Sequence, residues 1–488
     1  MPQRSFREPT PRASLQRALD LAQHRCYHTR MESMPQTEAR KRDTGVATLW
    51  FSCNYGAILT TYALYRLLEE MGRRPVLLDY APLHPNARYM EDDNVSRRFM
   101  RKHRIACSEP LRDDGDYDAL NDSLDTFIIG SDQVWRWRYT HYYGLAYFLD
   151  FVQGDKRKVA FASSFGIETE ERPAESVARA RHCLQAFDAV SVREKSGVDI
   201  LREHYGIEGE WLLDPVFLCR MEDYDTLCEG TKRQEMPYVL SYVLEPNDAI
   251  RRHIAAISAE CGAQAVNMVD AQVDFEEMQR RFGTGQIARD VSPEQWVRNI
   301  RDCAFFITDS FHGVCYALMF NRPFLCVAPP ERGRTRFDSL LGLVGLQRCM
   351  LSPDYTEEEW NAAVAPIDWA QVNSILQRER EKARAWLENA LNAPRPAWRI
   401  TLGTLVYEKL YAGFGEKERT PRREAEVRMY ERDFLTHKLP RLLRMKRLWH
   451  RAWMYATIGR ARARHATRLQ ELRVLARYLE RRNSRSFP

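Results

Sequence analysis

From about residue 44 to residue 395, short apolar runs alternate with longer amphipathic stretches, and the alternation reads strand, helix, strand twice over. Val46–Phe51 is a β-prone run, Asn54-Tyr55-Gly56-Ala57 makes a small turn, and Leu59, Tyr62, Ala63, Leu67 and Leu68 recur at helical spacing up to Gly72. Further strands are predicted at Pro75–Leu78, Asp125–Ile129, Lys158–Ala162, Ala189–Val192 and Trp211–Leu213, while residues 81–122 show no clear period. A charged link at Cys228–Glu235 precedes a restart: strand Tyr238–Val243, helix Asn247–Gly262 and strand Ala265–Met268. The next helix runs to Cys303 with Ser292 at its N-cap, Pro293 at its first position and Gln295 at its third. Phe305–Ile307 then forms a strand, Thr308-Asp309-Ser310 a cap, and His312–Phe320 a helix that leads to a buried strand beginning at Pro323. A Leu-rich helix from Ser339 and a long one over 371–391 complete the pattern. The expected fold is α/β, with two Rossmann-like domains, 44–228 and 236–395, facing a cleft.

Polar groups gather where the predicted strands end. Asn54, Tyr55 and Gly56 follow the first; Ser131 and Asp132, then Ser163 and Ser164, then Arg193, then Asp214 follow later ones. Carboxyl ends of parallel strands are where open α/β sheets hold ligands. His312 falls in the first turn of its helix, where free backbone N–H groups favour an anion and an imidazole can do acid chemistry on it. The cationic run Arg332–Asp338 adds Arg334 and Arg336 beside the same cleft. No G-x-G-x-x-G follows a strand, so a nicotinamide cofactor has no support.

Composition narrows the class further. Eleven cysteines without C-x-x-C pairs suggest neither a disulfide framework nor a zinc site and fit a reducing compartment. No apolar run approaches a membrane span and no signal-peptide core opens the chain, so a cytoplasmic protein is expected. The net charge of +6 is uneven: residues 436–488 hold fifteen Lys and Arg against two Glu, leaving the rest acidic. Residues 1–43 are polar and Arg-rich and read as a mobile arm. Residues 400–488 read as a basic amphipathic helical tail, in which Leu442, Leu448, Trp449 and Trp453 alternate with Arg444, Lys446, Arg447 and Arg451. That composition suits the anionic inner face of a membrane, and with no recognition module present, nucleic acid is not expected as a partner.

Six segments in order resemble the polysaccharide pyruvyl transferase family: Asn54-Tyr55-Gly56-Ala57 with Tyr62-Ala63-Leu64, Gly130–Trp135, Ala162–Gly166, Val192–Gly197, Leu213-Asp214-Pro215 and Thr308–Gly313. The resemblance covers about residues 46–345. It implies a GT-B-like fold and transfer of the three-carbon unit of phosphoenolpyruvate onto two sugar hydroxyls as a ketal, with phosphate released. It implies no cofactor beyond that donor and no metal, and an acceptor glycan that is lipid-linked or part of a surface polysaccharide. By resemblance His312 is the catalytic histidine and Arg193 holds the donor's anionic groups, with Ser310 and Gly313 beside them. Asp132 or Asp309 is placed to orient His312 or to accept a sugar proton. Two positions depart from the family: Thr60 stands where Gln is frequent, and Ser310 where some branches carry Arg, leaving Arg334 or Arg336 to replace that cation. A nucleotide-sugar-dependent glycosyltransferase on the same fold, or a non-catalytic scaffold of polysaccharide assembly, are the alternatives.

Overall fold

A computed structural model of the chain describes residues 42–399, apart from 92, 270–274, 283–284, 289–290, 328–332, 353 and 397–398. The basic tail at 400–488 and all but the last two residues of the expected N-terminal arm lie outside the described residues. Those last two, Arg42 and Asp43, are tied in. Arg42 donates to the Tyr65 hydroxyl and the Pro75 carbonyl, and Asp43 accepts from the Arg74 backbone and side chain.

The first sheet contains β1 (Thr44–Ala47), β2 (Pro75–Asp79), β3 (Cys107–Pro110), β4 (Thr126–Ile129), β5 (Arg157–Ser163), β6 (Ala189–Val192) and β7 (Glu210–Trp211). All seven strands are parallel, in the order β3-β2-β1-β4-β5-β6-β7. The second contains β8 (Tyr238–Tyr242), β9 (Gln264–Met268), β10 (Gln286–Ala288), β11 (Phe305–Thr308) and β12 (Phe324–Cys326), parallel in the order β10-β9-β8-β11-β12. Both are Rossmann-like sheets, and each reverses its order once: between β1 and β4 in the first, between β8 and β11 in the second. Central strands covered on both faces are mostly apolar: β4 is Thr-Phe-Ile-Ile and β11 Phe-Phe-Ile-Thr, every residue buried.

The strand Val46–Phe51 begins two residues earlier than its β-prone run and ends at Ala47. Trp50 and Phe51 are apolar because they are buried in the turn that follows, where the Trp50 indole N–H donates to the Leu78 carbonyl at 2.9 Å. The edge strands β3 and β10 have no counterpart among the predicted elements; both are partly exposed, so neither has the apolar period of a buried strand. The helix expected from Ser339 starts one turn earlier.

Five helices bear on the cleft: α1 (Tyr55–Glu70), α2 (Pro293–Asp302), α3 (Phe311–Met319), α4 (Thr335–Val344) and α5 (Trp369–Asn392). The first three are capped by Asn54, Ser292 and Ser310, whose side chains accept from Ala57, Gln295 and Gly313 N–H. An aromatic cluster joins the two halves. Tyr55 of α1 stacks on Trp296 of α2, touches Tyr242 at the end of β8, and donates its hydroxyl to the Val291 carbonyl at 2.7 Å. The helix α5 returns to the first sheet, with Trp386 stacked on Phe161 of β5. No helix among the described residues is long and apolar enough to cross a membrane.

One buried group outside the cleft yields a test of stability. His253, 1% exposed, packs against Tyr355 and Trp360 at 5.0 and 5.2 Å, with no hydrogen bond to either ring nitrogen among the described residues. Burial, helped by the nearby Arg252 charge, pushes its pKa down to about 4. The folded protein therefore holds this ring neutral where the unfolded chain, near 6.5, takes up a proton. Stability should fall as pH drops from about 6.5 towards 4, by on the order of 2 kcal/mol. In melting curves across that window His253→Phe should flatten the slope; equal slopes for variant and parent would remove His253 as the cause.

Candidate active site

The segments that follow β1, β6 and β7 of the first sheet meet the segment that follows β11 of the second, and His312 and Arg193 come into contact there. Neither is more than 5% exposed. Arg193 leaves the end of β6; its Nη1 donates to Asp214 Oδ2 at 2.7 Å and meets His312 Nε2 at 3.1 Å, while Nη2 donates to Asp132 Oδ1 at 3.0 Å. Its guanidinium carbon lies 4.7 Å from the centre of the Phe311 ring.

Asp214 is the most deeply fixed member. Its Oδ1 accepts from Thr60 Oγ1 at 2.7 Å and from Val216 N–H at 3.1 Å; its Oδ2 accepts from Ser131 Oγ and from Arg193, both at 2.7 Å, and lies 3.4 Å from His312 Nε2. Burial alone would raise its pKa, but the hydrogen bonds and charges of His312 and Arg193 outweigh burial and hold the carboxyl well below the usual carboxylate range. It is an anion at any physiological pH.

This places His312 Nε2 between a group that can only donate and one that can only accept. Neutral, with its lone pair on Nε2, the ring accepts from Arg193; protonated there, it donates to Asp214. Which of the two partners Nε2 bonds follows from whether it carries the proton. That is the arrangement a proton carrier needs. The opposite edge of the ring lies on the first turn of α1, where a Cβ added to Gly56 would come within 2.2 Å of Nδ1 and 2.7 Å of Cγ. Gly56 is there because nothing larger lets α1 approach the imidazole. Gly56→Ala should shift the ring off Arg193 and Asp214 and lower kcat about 100-fold, a cost typical of a displaced catalytic group. Its melting temperature should stay within a few degrees of the parent; a kcat within threefold of the parent would show that the contact is dispensable.

The other expected site residues divide. Ser131 and Asp132 belong to the cluster. Ser163 and Ser164 are wholly buried at the end of β5, which is bent by a register shift and by Ala162 at φ +49°; Ser163 Oγ donates to the Gly130 carbonyl at 3.0 Å. Asn54 and Ser310 serve as caps, and Tyr55 as part of the aromatic junction. Gly313 packs against Thr308, whose Oγ1 would lie 2.5 Å from an added Cβ. Asp309 is placed differently from the expectation that it orients His312. Both its oxygens accept backbone N–H groups, from Leu244 at 2.8 and 3.0 Å and Glu245 at 2.9 Å, which ties the loop after β8 to β11. The carboxylate beside the imidazole is Asp214.

The two candidate cations on α4 also part company. Arg334 is exposed and pairs with Asp338 at 3.1 Å. Arg336 is buried, with its guanidinium 5.4 Å from the Phe311 ring, so that this ring has Arg193 and Arg336 as neighbours. Burial and the Arg193 charge push the Arg336 pKa down to about 10 against the pull of Asp132 and Glu194. Two arginines held this close favour an anion between them.

Sequence reasoning did not single out Glu194, Arg136 or Phe311. Glu194 is fully buried; its Oε1 accepts from Phe165 and Gly166 N–H at 2.7 and 3.0 Å, and burial raises its pKa against the opposing Arg193 charge. Arg136, 3% exposed, donates to Gln133 Oε1 at 3.0 Å. The available signal was their place after β6, β4 and β11. Among the described residues no group of three or more His, Cys, Asp or Glu side chains is arranged to hold a metal ion.

The chain is similar in structure to a UDP-GlcNAc 2-epimerase from Neisseria meningitidis, at 10% identity over 76% of this chain and 99% of that one, with a TM-score of 0.42. It is similar to MnaA of S. aureus, at 11% identity over 72% and 99%, with a TM-score of 0.46. The glycotransferase of kitacinnamycin gives 14% identity over 72% and 99%, with a TM-score of 0.39. No curated protein matches the sequence. The polysaccharide pyruvyl transferase family matches residues 54–330, a span that begins at the cap of α1, takes in Asp132, Arg193, Asp214 and His312, and covers more than half of the 488 residues. The chain belongs to the polysaccharide pyruvyl transferase family.

Proposed function

We propose that the protein transfers the pyruvyl unit of phosphoenolpyruvate to two hydroxyls of a sugar in a polysaccharide or lipid-linked glycan, forming a ketal and releasing phosphate. The observation that carries this reading is the buried contact of His312 with Arg193 and Asp214, within the span matched by the family. Arg193 and Arg336 supply positive charge for the donor's carboxylate and phosphate. His312, as an imidazolium, protonates the methylene carbon, and the first hydroxyl adds to the carbon that bears the phosphate. The second hydroxyl then displaces phosphate, which leaves with the electron pair of its C–O bond. Of the two hydroxyl protons, one balances that delivered to the new methyl group and the other leaves on phosphate. Asp214 keeps the imidazole in register and offsets its charge.

The acceptor we propose is a growing surface glycan at the inner face of the plasma membrane, approached through the basic tail at 400–488. The test of the donor is a melting-temperature titration with phosphoenolpyruvate beside a panel of nucleotide-sugars. Stabilisation by phosphoenolpyruvate that Arg193→Ala abolishes supports the reading. Stabilisation by a nucleotide-sugar alone would replace it with glycosyl transfer.

A further inference from the structure

Arg193 holds two carboxylates in unequal ways. Asp214 has a fully buried side chain and three further hydrogen bonds, from Thr60, Ser131 and the Val216 backbone, so its place does not depend on Arg193. The Asp132 side chain is 14% exposed, and among the described residues its Oδ1 accepts from Arg193 Nη2 and from the N–H of its own neighbour Gln133, at 2.9 Å. Asp132 also carries φ +84°, a left-handed backbone that a residue with a Cβ adopts at a cost of roughly 1–3 kcal/mol. The stretch is short: Val134 N–H returns to the Asp132 carbonyl at 2.7 Å, and Asp132 bridges Ser163 of β5. The chain is thus bent to bring one partly solvated carboxylate onto Nη2, on the side of Arg193 away from Asp214.

We infer that Asp132 is a displaceable stand-in: its carboxylate holds the anion position on Arg193 until an incoming carboxylate or phosphate takes its place. This rests on the donor reading above for the identity of the anion, though not for the exchange itself. Nη1 is committed to Asp214 and His312, so Nη2 is the edge of the guanidinium where an anion can be traded for an anion without uncovering a buried charge. Arg336, whose guanidinium carbon lies 5.4 Å from the centre of the same Phe311 ring, adds attraction for a multiply charged ligand over a single aspartate. Once released, Asp132 is a carboxylate beside the bound donor, able to accept the proton of an acceptor hydroxyl. Donor is then bound before acceptor.

The distinguishing consequence is that removing Asp132 should help donor binding while harming turnover. Titrated calorimetrically into the full-length protein, phosphoenolpyruvate should bind Asp132→Asn about tenfold more tightly than the parent, since a competing anion is gone. kcat for phosphate release should fall about 100-fold or more, the range of a lost general base. Asn tolerates the left-handed backbone as Asp does, and Asp132→Gly, which removes the strain, serves as a second variant and should bind at least as tightly. Inorganic phosphate, titrated in parallel, separates the two readings. Tighter phosphate binding by both variants, with no phosphoenolpyruvate binding by any protein, upholds the exchange and rejects the donor. Unchanged or weaker binding of both anions by both variants overturns the exchange.

Discussion

Replacing His312 with Gln is expected to lower phosphate release by about 10³-fold while leaving phosphoenolpyruvate affinity within about threefold. The reasoning is geometric. Gln can place its amide oxygen near the position of Nε2, 3.1 Å from Arg193 Nη1, and so keep that hydrogen bond and the packing over Gly56. It cannot carry a proton between the acceptor and the donor methylene. If His312 acted chiefly as an anion ligand, Gln would weaken binding and turnover together; if it acts as a proton carrier, turnover falls alone. Single-turnover phosphate release and the donor titration separate the two. Residual turnover within tenfold of the parent would mean that the proton comes from elsewhere, and Glu194, fully buried with a raised pKa, would be the next acid to test.

The difference between Asp309 and Asp214 shows which parts of this site were legible in the sequence. Elements declare themselves through local periodicity, so the central strands, α1, α3 and the capped start of α2 are readable within a few residues. Arg193 and His312 are legible because their segments resemble a family. The partner of His312 is a tertiary fact. Asp309 is three residues away in the chain and accepts the Leu244 and Glu245 amides; Asp214 is nearly a hundred residues away and is brought to the ring by the order of strands in the first sheet. Thr60 is another case. Standing where the family frequently has Gln, it donates to Asp214, a contact between α1 and the segment after β7 that no local pattern announces. The division between Arg334 and Arg336 follows helix geometry: residues two apart in a first turn point to different sides, and one lies over Phe311 while the other faces solvent.

Arg193→Ala should be the most damaging single change for both stability and activity, and its effect should depend on pH in a direction the geometry dictates. The side chain has no exposed surface and balances Asp214 and Asp132. Without it Asp214 keeps His312 and its neutral donors but loses the guanidinium that pairs with Oδ2, and breaking one side of a buried ion pair costs about 3–5 kcal/mol. For a chain of this length that is a fall in melting temperature of roughly 3–5 °C. In the parent the Asp214 pKa is depressed, so the carboxylate contributes stability that is fully present above the unfolded value and is lost as pH falls. In the variant burial acts with less opposition and the pKa climbs, so the anion becomes a burden at neutral pH that protonation relieves. The gap between parent and variant should therefore be widest near pH 7 and narrow towards pH 4. Arg193→Lys restores one charge without the fork that spans Asp214, Asp132 and His312; it should recover part of the stability and little of the activity. A gap that stays constant from pH 7 to pH 4 would show that the loss is one of packing against Phe311, and that the carboxylates do not depend on Arg193 for their charge.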